Sequence, residues 1–111
     1  MDGVVAVDVD RSGRFKYILV RLTDGAGASK EVVRGYADCE WHNDIFDRLT
    51  ASLPGGVKAE CLGGGKLEHG PTDGRAVRLF GNSTAYGAAD HARAAELLQA
   101  AFPDAQVTAE S

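Results

Sequence analysis

Residues 15–22 place the tightest constraint on what this chain can become. Phe15, Tyr17, Leu19 and Arg21 fall on one parity of the run, and Lys16, Ile18, Val20 and Leu22 on the other. Alternation at a period of two predicts a strand. A second period appears at residues 41–53, where Ile45, Leu49 and Leu53 recur every fourth residue with Phe46 beside them. That spacing predicts an amphipathic helix. Pro54-Gly55-Gly56 stops it, Asp38 is the expected N-cap, and Glu40 suits the first turn.

The remaining elements follow from the same two periods and their punctuation. Residues 4–9 are apolar and β-branched, and predict a strand. The turn cluster Asp10-Arg11-Ser12-Gly13 joins it to residues 15–22 as a hairpin. Residues 23–28 form a loop, 31–34 a short strand ended by Gly35, and 57–62 a strand running into Gly63-Gly64-Gly65. Residues 69–74 read as a loop, 76–80 as a strand and 81–87 as a loop. Residues 88–102 predict an alanine-rich helix with Ala94, Leu97, Leu98 and Ala101 as its apolar stripe. Pro103-Asp104 ends that helix, and Val107-Thr108 is a last strand. The order is β-β-β-α-β-β-α-β. It predicts an α+β, sandwich-like fold: a single mixed β-sheet of about six strands with one helix on each face. At 111 residues the chain reads as a single domain, 1–111.

Composition narrows the function classes. With 12 Lys+Arg against 16 Asp+Glu the net charge is −4, and the broad basic face that nucleic-acid binding needs is missing. No apolar run reaches the roughly 18–20 residues of a membrane span. The start, Met1-Asp2-Gly3-Val4, carries an acid where a leader would carry basic residues. Cys39 and Cys61 read as two free thiols in a reducing compartment. The expectation is a cytoplasmic protein with no membrane and no nucleic-acid partner; no heptad or long apolar edge demands an oligomer, so a monomer is expected.

Several short patterns invite a chemical reading. Asp8-Val9-Asp10-Arg11-Ser12-Gly13 matches a calcium loop at four positions, but Leu19 stands where the bidentate glutamate belongs. The same Asp8-x-Asp10 matches the nucleophile of aspartyl-phosphate phosphatases, which need Mg²⁺, further acids and a larger fold. A turn with solvated acids remains. Cys39 and His42 are spaced as a ligand pair, but zinc takes three or four ligands and Cys61, His69 and His91 lie on other elements. No metal and no cofactor are expected. Neither cysteine has an arginine six residues on; Ile45 and Leu67 stand there. Gly63-Gly64-Gly65-Lys66 lacks the leading glycine and the Ser/Thr of a P-loop, and reads as a bulge where backbone approaches closely. Gly81-Asn82-Ser83-Thr84-Ala85-Tyr86-Gly87 has two readings: a plain strand-to-helix connector, or a loop whose N–H groups converge on an anion beside a helix N-terminus. His42, near the start of the first helix, also has two. It either edges the core or serves as a base or nucleophile, since a helix N-terminus disfavours the imidazolium.

These segments together resemble the small phosphohistidine phosphatases of the janus/ocnus family. The resemblance is carried by Phe15-Lys16-Tyr17-Ile18-Leu19-Val20-Arg21 and Lys30-Glu31-Val32-Val33-Arg34-Gly35-Tyr36. It continues in Glu40-Trp41-His42-Asn43-Asp44-Ile45-Phe46-Asp47 and Glu60-Cys61-Leu62-Gly63-Gly64-Gly65-Lys66. Ser83-Thr84-Ala85-Tyr86-Gly87, His91 and Phe102-Pro103-Asp104 complete it, in family order. What the resemblance implies is a metal-independent protein phosphatase acting on phosphohistidine-containing proteins or peptides, with some activity on phospholysine. It implies a six-stranded sheet flanked by two helices, His42 as the essential proton acceptor, Lys16 as a substrate contact, and Ser83, Thr84 and Ala85 as the phosphate-holding loop. Arg34 and Lys66 stand where the family carries cations near the site, with Lys66 replacing the usual arginine. Trp41 and Asn82 each replace a tyrosine. His91 is either a supporting partner or a helix cap, His69 is expected to be solvated, and Tyr86 is expected behind the phosphate loop. The competing reading is a phosphate-recognising or interaction module on the same fold, without turnover.

Overall fold

A computed structural model describes residues 3–70 and 75–110; positions 71–74 of the expected 69–74 loop lie outside them. The elements are β1 (Val7–Val9), β2 (Arg14–Thr23), β3 (Ser29–Gly35), α1 (His42–Ser52), β4 (Lys58–His69), β5 (Ala76–Phe80), α2 (His91–Ala101) and β6 (Gln106–Ala109). The strands form one sheet in the order β1-β3-β2-β4-β5-β6. β2 runs antiparallel to both β3 and β4, and β4 antiparallel to β5, while the outer pairs β1–β3 and β5–β6 are parallel. The sheet is mixed, as the element order predicts.

A strand apolar on both parities belongs where both faces of the sheet are covered. β2 occupies that place. Ile18, Val20 and Leu22 turn to one face and pack with Val32, Cys39 and α1's Ile45 and Leu49. Phe15, Tyr17 and Leu19 turn to the other and pack with Val33, Leu79 and α2's Ala94 and Leu98. Each fully buried Leu, Ile or Val contributes about 1.5–3 kcal/mol, so the two half-cores depend on this one strand.

Four local expectations differ. The hairpin of β1 with β2 does not form: β1 is three residues long and pairs in parallel with β3, Val7 opposite Val33. Both flanks of β2 are already occupied, so β1 has only the outer edge of β3 to join. The acids of the turn keep contact with solvent, Asp8 exposed and Asp10 half-buried, but each also has a partner. Asp8 Oδ2 accepts from Tyr36 Oη at 2.8 Å and Asp10 Oδ2 from the Ala37 N–H at 2.7 Å, tying the end of β3 to the turn. The glycine run does not end a strand. β4 continues through it for 12 residues, with a register shift opposite Leu19/Val20. α1 is preceded by Trp41, whose N–H donates to Asp44 Oδ2 at 3.0 Å, while Asp38 pairs with Arg48 instead of capping. α2 starts at His91, with Asp90 accepting the Arg93 N–H at 3.1 Å.

Candidate active site

The glycine run sets the geometry of the site, because helices and loops come to it from both faces. A Cβ on Gly64 would stand 2.6 Å from His42 Cδ2 on the α1 face. A Cβ on Gly65 would stand 2.6 Å from His91 Cε1 and 2.5 Å from the Phe80 carbonyl on the α2 face. Gly63, at φ +152°, would meet Ala88 and Ala89 at 2.7 Å. Only hydrogen fits at these positions. The Gly64 N–H donates to Gly87 O and Gly64 O accepts from the Ala89 N–H, each at 3.0 Å, so the segment before α2 is fastened to the middle of β4.

His42 is the first residue of α1 and is buried. Its Nε2 lies 2.9 Å from Gly65 O. A carbonyl only accepts, so the ring carries its proton on Nε2 and keeps a lone pair on Nδ1. Every fully buried side-chain nitrogen and oxygen among the described residues has a partner. Nδ1 has none, so it is reached by solvent. Burial lowers the His42 pKa below the ordinary histidine value, and the charges of Lys16 and Lys66 lower it further; the Gly65 hydrogen bond opposes them and does not win. The ring is a neutral base with one open nitrogen.

His42 lines a cleft of about 590 Å³ together with the rest of α1's first turn, Lys16 and Lys66, and the loop after β5. Lys16 and Lys66 are directly opposed across β2 and β4. Like charges in that position destabilise a sheet. Among the described residues neither lysine has a carboxylate partner; the ion pairs are made by arginines, such as Arg93–Glu31 at 2.7 Å. The positive end of the α1 dipole adds to this potential. No carboxylate or thiol among the described residues lines the cleft. Among the described residues no three His, Cys, Asp or Glu side chains gather to hold a metal, and Cys39 is in the α1-side core.

The loop after β5 is held at both ends. Gly81, at φ +76°, presents its carbonyl to His91 Nε2 at 2.8 Å, and His91 Nδ1 accepts from the buried hydroxyl of Tyr17. Ser83 and Gly87 exchange two N–H···O bonds, at 3.1 and 2.8 Å, and the Tyr86 N–H donates to Ser83 Oγ at 3.2 Å. The Tyr86 ring packs on Phe46 of α1 with centroids 5.9 Å apart. The loop thus uses the N–H of Ser83 internally. Among the described residues the N–H groups of Thr84 and Ala85 have no such partner, nor has that of Asn82, so they are free to meet an anion.

The structure therefore brings together His42, Lys16, Lys66, Ser83, Thr84 and Ala85. It does not bring Arg34 to them. The buried Arg34 guanidinium donates to Val33 O at 2.9 Å and Val5 O at 2.8 Å, in a separate depression with Tyr36 and Arg48. His91 sits behind the loop, as a support. His69 is buried at the end of β4, where its Nε2 lies 2.9 Å from Asp10 O and its ring tilts on Phe15; it is not solvated. Asn43 in the lining and the Tyr17 hydroxyl were not singled out by sequence. The signal for Tyr17 was a polar atom on a core parity, and for Asn43 its place in the helix turn that carries His42.

The opposed lysines yield a prediction. Lys66→Gln relieves the repulsion, so thermal unfolding is expected at an equal or slightly higher Tm, with a gain of a few tenths to about 1 kcal/mol. The same variant is expected to bind inorganic phosphate several-fold more weakly, as read by competitive inhibition or calorimetry. A lower Tm with unchanged phosphate affinity contradicts the assignment of Lys66 to an anion site.

Sheet, helices and cleft define an α+β domain with an electropositive pocket around a neutral imidazole. The chain belongs to the Janus/Ocnus family, whose sequence model matches residues 1–106. It is 47% identical over 107 residues to the sex-regulated protein janus-A of Drosophila pseudoobscura pseudoobscura, covering 91% of this chain and 71% of that protein. It is 43% identical over 103 residues to janus-A of Drosophila melanogaster, covering 92% and 76%. It is 41% identical over 109 residues to the human 14 kDa phosphohistidine phosphatase, covering 92% of this chain and 86% of the human protein.

Proposed function

We propose that this chain is a metal-independent protein histidine phosphatase, hydrolysing the P–N bond of phosphohistidine in proteins or peptides, with phospholysine as a second N-phosphate. It would act as one domain, 1–111, as a cytoplasmic monomer. The observation that carries the reading is His42, with its open Nδ1, in the same cleft as two lysines without carboxylate partners. The 41% identity to a human phosphohistidine phosphatase supports it.

A phosphoramidate P–N bond breaks readily once its nitrogen is protonated, so catalysis requires mainly positioning and charge stabilisation. The phosphoryl oxygens would take up the Thr84 and Ala85 N–H groups and the Ser83 hydroxyl, with Lys16 and Lys66 balancing their charge. Water attacks phosphorus and gives its proton to His42 Nδ1. The P–N electron pair goes to the substrate nitrogen, which takes that proton from Nδ1, leaving the substrate's imidazole (the amine, for phospholysine), phosphate and a neutral His42. In the alternative step Nδ1 itself attacks phosphorus as the substrate P–N bond breaks. The electron pair goes to the substrate nitrogen, which takes a proton from solvent, and water then cleaves the new N–P bond to give phosphate and a neutral His42. A single-turnover reaction quenched in alkali distinguishes them: acid-labile phosphate on His42 marks the nucleophile, and its absence marks water activation.

The test is phosphate release from a phosphohistidine peptide with and without EDTA. Turnover surviving chelation supports the reading; binding without turnover supports the recognition module instead; turnover lost on chelation overturns the metal-independent mechanism. The pH dependence follows from the lowered His42 pKa. The neutral ring is active, so kcat/KM is expected to stay level from neutral pH down through about 6.5 and to fall only at more acid pH. The sign for stability agrees. Above the unfolded value both states are neutral at this residue. Below it the unfolded chain takes up a proton that the folded ring still refuses, so folding stability from this group falls until the lower, folded pKa is passed.

A further inference from the structure

We propose that the indole of Trp41 is the platform on which the imidazole ring of phosphohistidine stacks, and that Trp41 thereby sets a preference for an aromatic N-phosphate over an alkylamine one. The inference rests on the phosphohistidine reading above and assigns the part of the substrate beyond the phosphoryl group.

Trp41 is the single tryptophan of the chain. Its relative exposure is 59%, and among the described large apolar residues only Val5 is as exposed. Tryptophan normally buries most of its surface, and an exposed ring beside a cleft is available to a ligand. The backbone of Trp41 is nevertheless fixed: its N–H donates to Asp44 Oδ2 at 3.0 Å and its carbonyl accepts the Asp44 N–H at 3.1 Å. An exposed ring thus stands on a fixed backbone, adjacent in sequence to His42.

Two aromatic rings line the cleft, Trp41 and Phe80. Phe80 is already engaged by guanidinium groups, with Arg78 Cζ 4.2 Å and Arg14 Cζ 4.9 Å from its centroid. Trp41 carries only Lys16 Nζ, at the longer distance of 5.8 Å. A phosphoryl group bound between Lys16, Lys66 and the Thr84–Ala85 N–H groups draws the Lys16 ammonium toward its oxygens and leaves the indole face open. The group attached to phosphorus then meets Trp41. A flat imidazole stacks on that face with a π-face of its own, whereas the single-file methylenes of a lysine side chain offer it less area and no ring.

The test compares kcat/KM for N-phosphoimidazole and for phosphoramidate, which has no ring, in the wild type, Trp41→Ala and Trp41→Phe. In Trp41→Ala the ratio of the two is expected to fall about five- to tenfold, and in Trp41→Phe most of it returns. An unchanged ratio in Trp41→Ala overturns the proposal. The fluorescence of Trp41 gives a reading that needs no turnover. Imidazole with inorganic phosphate is expected to change it saturably, and methylamine with phosphate is not. If the wild type hydrolyses neither compound, the phosphatase reading has failed, and the titration alone decides the platform: a saturable change supports it, and none or a merely linear one overturns it.

Discussion

Replacing His42 with alanine is expected to lower phosphate release from a phosphohistidine peptide by about 10²–10⁴-fold, the usual contribution of a positioned acid–base group. The loss belongs to kcat, because the groups proposed to hold the phosphoryl oxygens are elsewhere: Lys16 on β2, Lys66 on β4, Thr84 and Ala85 on the loop after β5. Inorganic phosphate should therefore still bind to His42→Ala, as read by calorimetry. The space left over Gly64, where a Cβ would touch the missing ring at 2.6 Å, suits a free imidazole, and added imidazole is expected to restore part of the rate. Full activity in a folded His42→Ala protein would remove the chemistry from this cleft.

Gly65→Ala is expected to be strongly destabilising for a single added methyl group. Its Cβ would stand 2.5 Å from the Phe80 carbonyl, 2.6 Å from His91 Cε1 and 3.1 Å from Tyr17 Cε1. The first of these atoms is backbone of a paired strand and the others belong to fully or nearly buried rings, so none yields cheaply. Overpacking of this kind costs about 1–3 kcal/mol or more. For a chain of this size that corresponds to a loss of roughly 10 °C in Tm. The displacement also disturbs Gly65 O, the acceptor that fixes the His42 tautomer, so activity should fall more steeply than stability at temperatures where the variant is folded. Gly55→Ala is the control: nothing lies within 4 Å of its Cβ, and its melting is expected to match the wild type.

The parts of the fold carried by periodicity were legible in the sequence. Residues 15–22 and 41–53 announce a strand and a helix through side chains that face a core, and the element order predicts a mixed sheet with a helix on each face. Strand partnership was not legible in the same way. Asp10-Arg11-Ser12-Gly13 looks like a hairpin turn, but a turn cluster says only that the chain reverses or steps aside; which edge β1 joins depends on β3 and β4 already flanking β2. The glycine run reads in the sequence as a bulge where backbone approaches closely, and the structure has both a register shift and close approaches there, within a strand that continues past it. Here the missing side chains are what admit His42 from one face and His91 from the other, a relation between residues more than twenty positions apart. Of the candidate site, the family resemblance named His42, Lys16, Lys66 and the 83–85 loop together. It could not report that the Ser83 N–H is turned back to Gly87, or that Arg34 faces two carbonyls away from the cleft. Both are decided by backbone geometry that residue identity does not record.

The outermost strands have a bearing on how the molecule meets its own copies. One margin of the sheet is β1, three residues long, and the other is β6, four residues long. Edge-to-edge recruitment needs a sufficient length of unpaired backbone on both participants. Margins this brief offer a neighbour only a few N–H and C=O groups each. The longer open flank is residues 58–61 of β4, which pair with β2 alone, and there the exposed Lys58 and Glu60 place charges of the kind that blunts joining into a continuous ribbon.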